Sequence, residues 1–355
     1  MKRKRFRELG FKIGKLKTGK YNAITDIEGV VVGHKTINSK DVCSGLTVIM
    51  PNNGHLAGSH FPAGFYSFNG TGEFTGSHWL EETGTLVTPI IFTGSHLLGL
   101  AHHYLSLATR RIDKLEPFSM GTVGETWDGW LSDLEMTSID YHDLEEAILK
   151  AESGQITEGN VGGGTGMICY EFKGGIGTSS RVVEFEDENY TIGALVQSNM
   201  GRREDLKINN HDIGKIINQS ELPLPWQTSA NEGSLLVTIA TDAPLTTQQC
   251  KRIAKRGSIA MARTGAIGEG GSGDFFLTFS TSNQYQYDAE KPYSIKMFPS
   301  EEIDLLFEGA LEAVEEAIIN SLCMARTIEG QKGRKAYQLP LNKLKEILKS
   351  PHNKY

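Results

Sequence analysis

The chain has 355 residues, 39% hydrophobic and 22% charged, and its 36 Lys and Arg against 43 Asp and Glu leave a net charge of −7. That length can bury a sizeable core as one large α/β domain or two average ones, while the acidic balance excludes the basic face that nucleic-acid phosphates require. No run approaches the roughly 18 apolar residues of a membrane span, so neither nucleic acid nor membrane is an expected partner.

The chain opens on a basic run, MKRKRFR. Glu8, Lys12, Lys15, Lys17 and Lys20 interrupt the next residues, which rules out the apolar core of a signal peptide. Residues 1–20 therefore read as a solvated, frayed N-terminal extension. Strand-type runs bounded by Gly, Asn, Asp or Pro come next at 30–32, 46–50 and 86–92, and then helical periodicity over 97–110 and 141–151. The adjacent His102 and His103 point to different faces of the first helix, and no HExxH or HxH pattern occurs, so no metal site is read.

Further strand runs lie at 166–172, 181–185, 192–197, 235–240 and 275–279. Helices are expected at 246–263 and 303–325. In the last, Leu305, Leu306, Leu311, Val314, Ala317 and Ile318 recur near helical spacing, with Glu301, Glu302 and Asp304 in the first turn, where the helix dipole favours them. No repeat or Pro/Ser-rich linker divides the chain, so residues 21–329 read as a single α/β domain. The mixed order of elements argues against regular βαβ alternation. Residues 330–355 form a charged tail with one amphipathic patch, Leu341, Leu344, Ile347 and Leu348. Cys43, Cys169, Cys250 and Cys323 lie far apart without a CxxC pair, which suits reduced thiols and a cytoplasmic location.

Two motifs invite chemistry. The glycine-rich stretch 159–166 fails both nucleotide patterns: Met167 stands where the dinucleotide fingerprint needs glycine, and no Gly-Lys-Ser/Thr comes after it. Close backbone approach and positive φ explain its glycines better. Asn231-Glu232-Gly233-Ser234 is more suggestive, because it sets a Gly-Ser bond directly before the apolar run 235–240. A serine opening a buried strand can attack the carbonyl before it, which glycine leaves unobstructed. The freed α-amine, with a reference pKa of about 7.7–8.0, can then serve as base to the same hydroxyl. Taken alone, such a pattern is far more often a loop leading into an ordinary core strand.

The segments 21–34 (YNAITDIEGVVVGH), 69–76 (NGTGEFTG), 124–133 (GETWDGWLSD), 159–181, 191–201 (TIGALVQSNMG) and 257–280 occur in one order. Together they resemble the L-aminopeptidase/D-esterase family, which includes the β-peptidyl aminopeptidases. The resemblance implies an α/β, layered αββα-type sandwich similar to N-terminal nucleophile hydrolases, with sheets inside and helices outside. It implies autocleavage between Gly233 and Ser234, with Asn199 as oxyanion donor. Ser272 would hydrogen-bond the Ser234 amine or hydroxyl, and Asp274 would orient the pair.

Two positions depart from the family pattern. β-Peptide-cleaving members carry glutamate where Asp274 is one methylene shorter, and Trp127 stands where tyrosine is expected, trading a phenol for an indole N–H. In the turn from Asn69 to Glu73, Glu73 is a candidate for the substrate ammonium, as is Glu125. No cofactor or metal is implied. The implied partner is a small peptide, amide or ester with a free amino terminus, handled by a homo-oligomer of the cleaved pair. The rivals are an amidase, an ω-amino-acid oligomer hydrolase or acyltransferase on the same scaffold, and a non-catalytic binding protein. Threonine at the cleavage point in the oligomer hydrolases and acyltransferases, and Ser234, Asn199 and Ser272 here, count against them.

Overall fold

The computed structural model describes residues 2–51, 53, 55, 60–113, 120–226, 232–285 and 290–350. Asn231 of the cleavage motif lies outside the described residues. In chain order the strands are β1 Val31–Asn38, β2 Cys43–Met50, β3 Phe61–Gly70, β4 Thr85–Leu86, β5 Ile90–Gly94, β6 Thr122–Thr126, β7 Ile168–Cys169, β8 Phe172–Lys173, β9 Gly175–Phe185, β10 Glu188–Asn199, β11 Glu232–Thr241, β12 Gly271–Ser280, β13 Ile328–Glu329 and β14 Lys335–Ala336. The helices are α1 Ser77–Thr83, α2 Leu98–Ala108, α3 Tyr141–Leu149, α4 Ile213–Ile216, α5 Thr247–Arg263, α6 Ile303–Met324 and α7 Leu341–Lys349.

Two sheets face each other. One runs β1-β2-β5-β6 and the other β4-β3-β12-β11-β10-β9. Between them Ile49, Phe92, Phe65, Leu236 and Leu277 form one buried layer. Leu46, Val48 and Ile91 on the outer face of the smaller sheet pack against Leu105 of α2 and Leu144 of α3. On the outer face of the larger sheet, Leu235, Val237 and Ile239 meet Ile253 of α5 and Val314 of α6. The expected αββα layering is therefore present. It explains why 235–240 reads as an unbroken apolar run: both faces of β11 are covered.

Several sequence expectations need correction. The run 86–92 is two strands in different sheets, β4 and β5, separated at Pro89, which has no N–H to donate to a ladder. The run 166–172 is a hairpin, β7 and β8, turned by Tyr170 and Glu171 at φ of 50° and 57°. β3 escaped the pattern because glycine interrupts it. A Cβ at Gly64 would run into the backbone nitrogen of Lys251, so this glycine admits α5 rather than ending the strand.

The N-terminal extension is not frayed. Phe6, Leu9 and Ile13 enter the core that holds α5 and α6. Arg3 donates to the carbonyls of Leu322 and Leu339, both at 2.9 Å. Arg5 is ion-paired with Glu158 at 2.7 Å, and Arg7 with Glu316 at 2.8 Å. The three arginines of the basic run are thus held by partners far along the chain, while Lys2 and Lys4 are exposed. The tail packs too, through Leu341, Leu344 and Ile347 of α7.

Candidate active site

Strand register assembles the site. The antiparallel β10 and β11 set Asn199 opposite Ser234. The parallel β11 and β12 set Gly233 beside Ser272, Ser234 beside Gly273 and Leu235 beside Asp274. On the next strand, Asn69 lies opposite Asp274. Residues from four distant segments thereby meet at one end of the larger sheet.

Ser234 is 4% exposed, and its hydroxyl donates to the carbonyl oxygen of Gly233 at 2.5 Å. The hydroxyl therefore sits on the very bond it is expected to cut. Across the ladder, Asn199 is held at both ends of its amide. Its Oδ1 accepts from the Ile168 N–H at 2.7 Å, and its Nδ2 donates to the Trp127 carbonyl at 3.0 Å. A carboxamide nitrogen carries two hydrogens, so the second Nδ2 hydrogen is available to another acceptor.

Alternation along the strands separates two groups. Ser234 and Asn199 share the inter-sheet face with Leu236 and Leu195, while Ser272 and Asp274 stand on the Leu235 face, in register with the helix-side layer. The expected bond from Ser272 to Ser234 is absent from this uncleaved chain. The Ser272 hydroxyl donates instead to Asp274 Oδ1 at 2.7 Å, and Asn69 Nδ2 donates to Asp274 Oδ2 at 3.0 Å. Asp274 stands in register with Leu235, one residue beyond the serine. Burial pushes the Asp274 pKa up to about 6, against the hydrogen bonds from Ser272 and Asn69.

The smaller sheet supplies the other wall. Glu125, in β6, is buried. Its Oε1 accepts from the Glu73 N–H at 2.9 Å, and its Oε2 from the Ser95 hydroxyl. Gly72 fills the gap towards the nucleophile: a Cβ there would lie 2.9 Å from Glu125 Oε1 and 3.4 Å from the Cα of Gly273. The structure thus separates the two ammonium candidates. Glu125 lies in the wall, whereas Glu73 is exposed and lends it a backbone donor. Trp127 is exposed and touches Asn199 through its carbonyl rather than its indole.

Asp128 was not singled out from the sequence, although it sits in the same GETWDG block. It is buried; Ser44 donates to its Oδ2 at 2.5 Å, and its Oδ1 has no hydrogen-bond partner among the described residues. Burial raises its pKa to about 6. The backbone N–H of Ile168 was likewise missed, because no sequence signal marks a main-chain donor. The glycines at 162–164 are wedged between the sheets, where a Cβ at Gly163 would strike Gln197 and the Phe92 carbonyl.

Comparison with known proteins bears on the family and the fold. A beta-peptidyl aminopeptidase of Sphingosinicella microcystinivorans is 38% identical over 353 residues, which cover 94% of this chain and 89% of that protein. A Burkholderia sp. beta-aminopeptidase superimposes with a TM-score of 0.89 at 39% identity, covering 98% of this chain and 100% of the other. The L-aminopeptidase D-Ala-esterase/amidase of Ochrobactrum anthropi, described as a prototype of the serine aminopeptidases and a variant of the Ntn hydrolase fold, gives 0.88 at 37% identity, covering 97% and 98%. The family model described as Peptidase family S58 matches residues 22–336, and the chain belongs to that family, as a hydrolase on an Ntn-type fold.

Proposed function

We propose that this chain is a serine aminopeptidase that cuts its own Gly233–Ser234 bond and then removes the N-terminal residue of small peptides, amides or esters. The observation that carries the reading is the Ser234 hydroxyl, 2.5 Å from the Gly233 carbonyl oxygen, at the buried mouth of β11 and facing Asn199. In the first reaction Ser234 Oγ attacks the Gly233 carbonyl carbon, the C–N bond breaks, and the departing nitrogen takes up the proton. Water then hydrolyses the resulting ester, leaving a carboxylate at Gly233 and a free amine at Ser234.

In the second reaction that amine draws the proton from its own hydroxyl as Oγ attacks the substrate. The tetrahedral oxyanion is met by the spare Nδ2 hydrogen of Asn199, an amide pre-oriented by Ile168 and Trp127. Glu125 is assigned to the substrate ammonium. Asp274, with Ser272 and Asn69, fixes the backbone carrying the nucleophile. No step calls for a cofactor. The proposal extends to a cytoplasmic location and a homo-oligomer of the cleaved pair, which fractionation and sedimentation would check.

Intact mass and N-terminal sequencing test the reading directly. Active protein should contain residues 1–233 and a second piece beginning at Ser234. Active protein consisting only of the uncut chain would refute it. N-acetylation of an amino-acyl p-nitroanilide should abolish its cleavage, since blocking removes the ammonium and leaves the scissile amide intact.

A further inference from the structure

Lys173 is the one fully buried lysine among the described residues, and among those residues no carboxylate pairs with it. Its ammonium donates instead to three carbonyls: Gly164 at 3.0 Å, Met167 at 2.6 Å and Gly174 at 2.9 Å. An ammonium has three hydrogens for these three acceptors, and a neutral amine has only two. Burying such a charge costs several kcal/mol before compensation. Burial accordingly lowers the lysine's pKa to about 7.

The same short hairpin carries a second strain. Tyr170 and Glu171, at φ of 50° and 57°, occupy the left-handed region without being glycine, and such a conformation persists only where the surroundings enforce it. Here they do. The Tyr170 hydroxyl is 2.6 Å from that of Thr264 and accepts from the Ala266 N–H at 3.0 Å, while Glu171 accepts from Trp226 Nε1 at 2.9 Å and from the Arg203 N–H at 3.0 Å.

The result is a set of aimed backbone donors. The Ile168 N–H is directed at Asn199 Oδ1, and the Tyr170 N–H at the Met200 carbonyl at 2.6 Å. Fixing Oδ1 decides which way the amide points, and so aims Nδ2 at the Trp127 carbonyl and the Ser234 side of the strand.

We propose that Lys173 is a positioning residue for the oxyanion pocket: by tying the carbonyls of Gly164, Met167 and Gly174 together, it holds the Ile168 N–H that orients Asn199. The proposal rests on Asn199 being the oxyanion donor. Without the ammonium the three buried carbonyls lose their shared donor, those of Gly164 and Met167 keeping only the backbone N–H of Met167 and of Gly174, so the hairpin relaxes and the amide gains freedom to turn.

A double-mutant cycle tests this, with turnover expressed per cleaved molecule. Lys173→Met should lower kcat by roughly 10- to 100-fold, the scale of a misplaced catalytic group, and leave KM within about twofold. In an Asn199→Ala background it should lower kcat no further, because its route to the reaction is already gone. An equal loss in both backgrounds, or unchanged kcat in folded Lys173→Met, would overturn the proposal. Should Lys173→Met fail to accumulate, Lys173→Gln carries the same cycle, keeping two N–H donors without the charge, and should show a smaller, equally non-additive loss. Wild-type kcat in Asn199→Ala alone would sink the oxyanion assignment separately, before the cycle is read.

Discussion

Two buried polar clusters, both tying distant segments together, have opposite characters. Behind α6, Arg181 is completely buried between Glu312 at 2.8 Å and Glu316 at 2.7 Å. Arg7 and Asn22 take up the remaining capacity of Glu316, and Arg181 also donates to Ser179 and to the Ile13 and Glu312 carbonyls. At the mouth of β11 the groups are equally buried but not saturated. Among the described residues the Ser234 hydroxyl has only its own preceding carbonyl, Asn199 has a hydrogen to spare, and Asp128 Oδ1 has no partner. A saturated cluster stabilises and does nothing else. One left with spare donors and acceptors can give them to a substrate.

That contrast can be broken at either end. The largest effect belongs to Ser234→Ala, which leaves the strand mouth without a reactive group: mass spectrometry should find one uncut chain, and turnover should vanish. Appearance of a fragment starting at residue 234 would place the cutting chemistry elsewhere. Next comes Arg181→Met. It removes the buried cation that two carboxylates share, leaving Glu312 without an ion-pair partner among the described residues, and the expected loss is about 3–5 kcal/mol of stability, read by urea unfolding in the Ser234→Ala background so that one chain is measured. A loss near zero would mean the cluster is less dry than it looks.

Asn199→Ala should cost about 10²–10³-fold in kcat, the usual effect of losing one oxyanion donor, with KM and unfolding midpoint nearly unchanged. A large stability loss with intact kcat would make Asn199 resemble the arginine cluster instead. Asp274→Asn should have the smallest effect, roughly tenfold or a little more, the worth of one hydrogen bond to a charged group. Its signature is the pH profile. Because burial holds the Asp274 pKa up at about 6, the group is neutral below that pH and ionised above it. Activity that depends on the carboxylate should therefore rise through pH 6, and Asp274→Asn should lack that limb. The limb set by the Ser234 amine should remain, since the amine must be neutral to accept a proton. An unchanged profile would detach Asp274 from the reaction.

Much of this was legible in the sequence, and the failures share a cause. Ser234 announced itself through the apolar run behind it, and α3, α5 and α6 through their periodicity. Asn199 could be named only through family resemblance, because its position opposite Ser234 is a matter of register between two strands. Where meaning depends on distant partners, the sequence was silent or misleading. The charges of Arg3, Arg5 and Arg7 looked solvated, since Glu316 and the Leu339 carbonyl lie some 300 residues away. Gly64 interrupts the strand pattern of β3, and its reason lies in α5, which presses on it from a distant part of the chain. Lys173 offered no signal at all, because lysine before glycine is usually a surface residue, and Tyr170-Glu171 is not a pair that favours a left-handed turn.

The strand order β4-β3-β12-β11-β10-β9 has a consequence for timing. All of β12 and all of β11 from Ser234 onward come after the Gly233–Ser234 bond, yet they are flanked by β3 on one side and β10 on the other, both from before it. The middle of the sheet is thus filled by the later-made segment, which must slot between strands already synthesised. While the chain is whole, that insertion is an intramolecular event, independent of protein concentration. Were the bond cut first, the same insertion would need two separate molecules to find each other with unpaired strand edges exposed. Because Ser234 meets Asn199 only once β11 has paired with β10, the proposed apparatus for cutting would form when cutting has become harmless, and scission would come last.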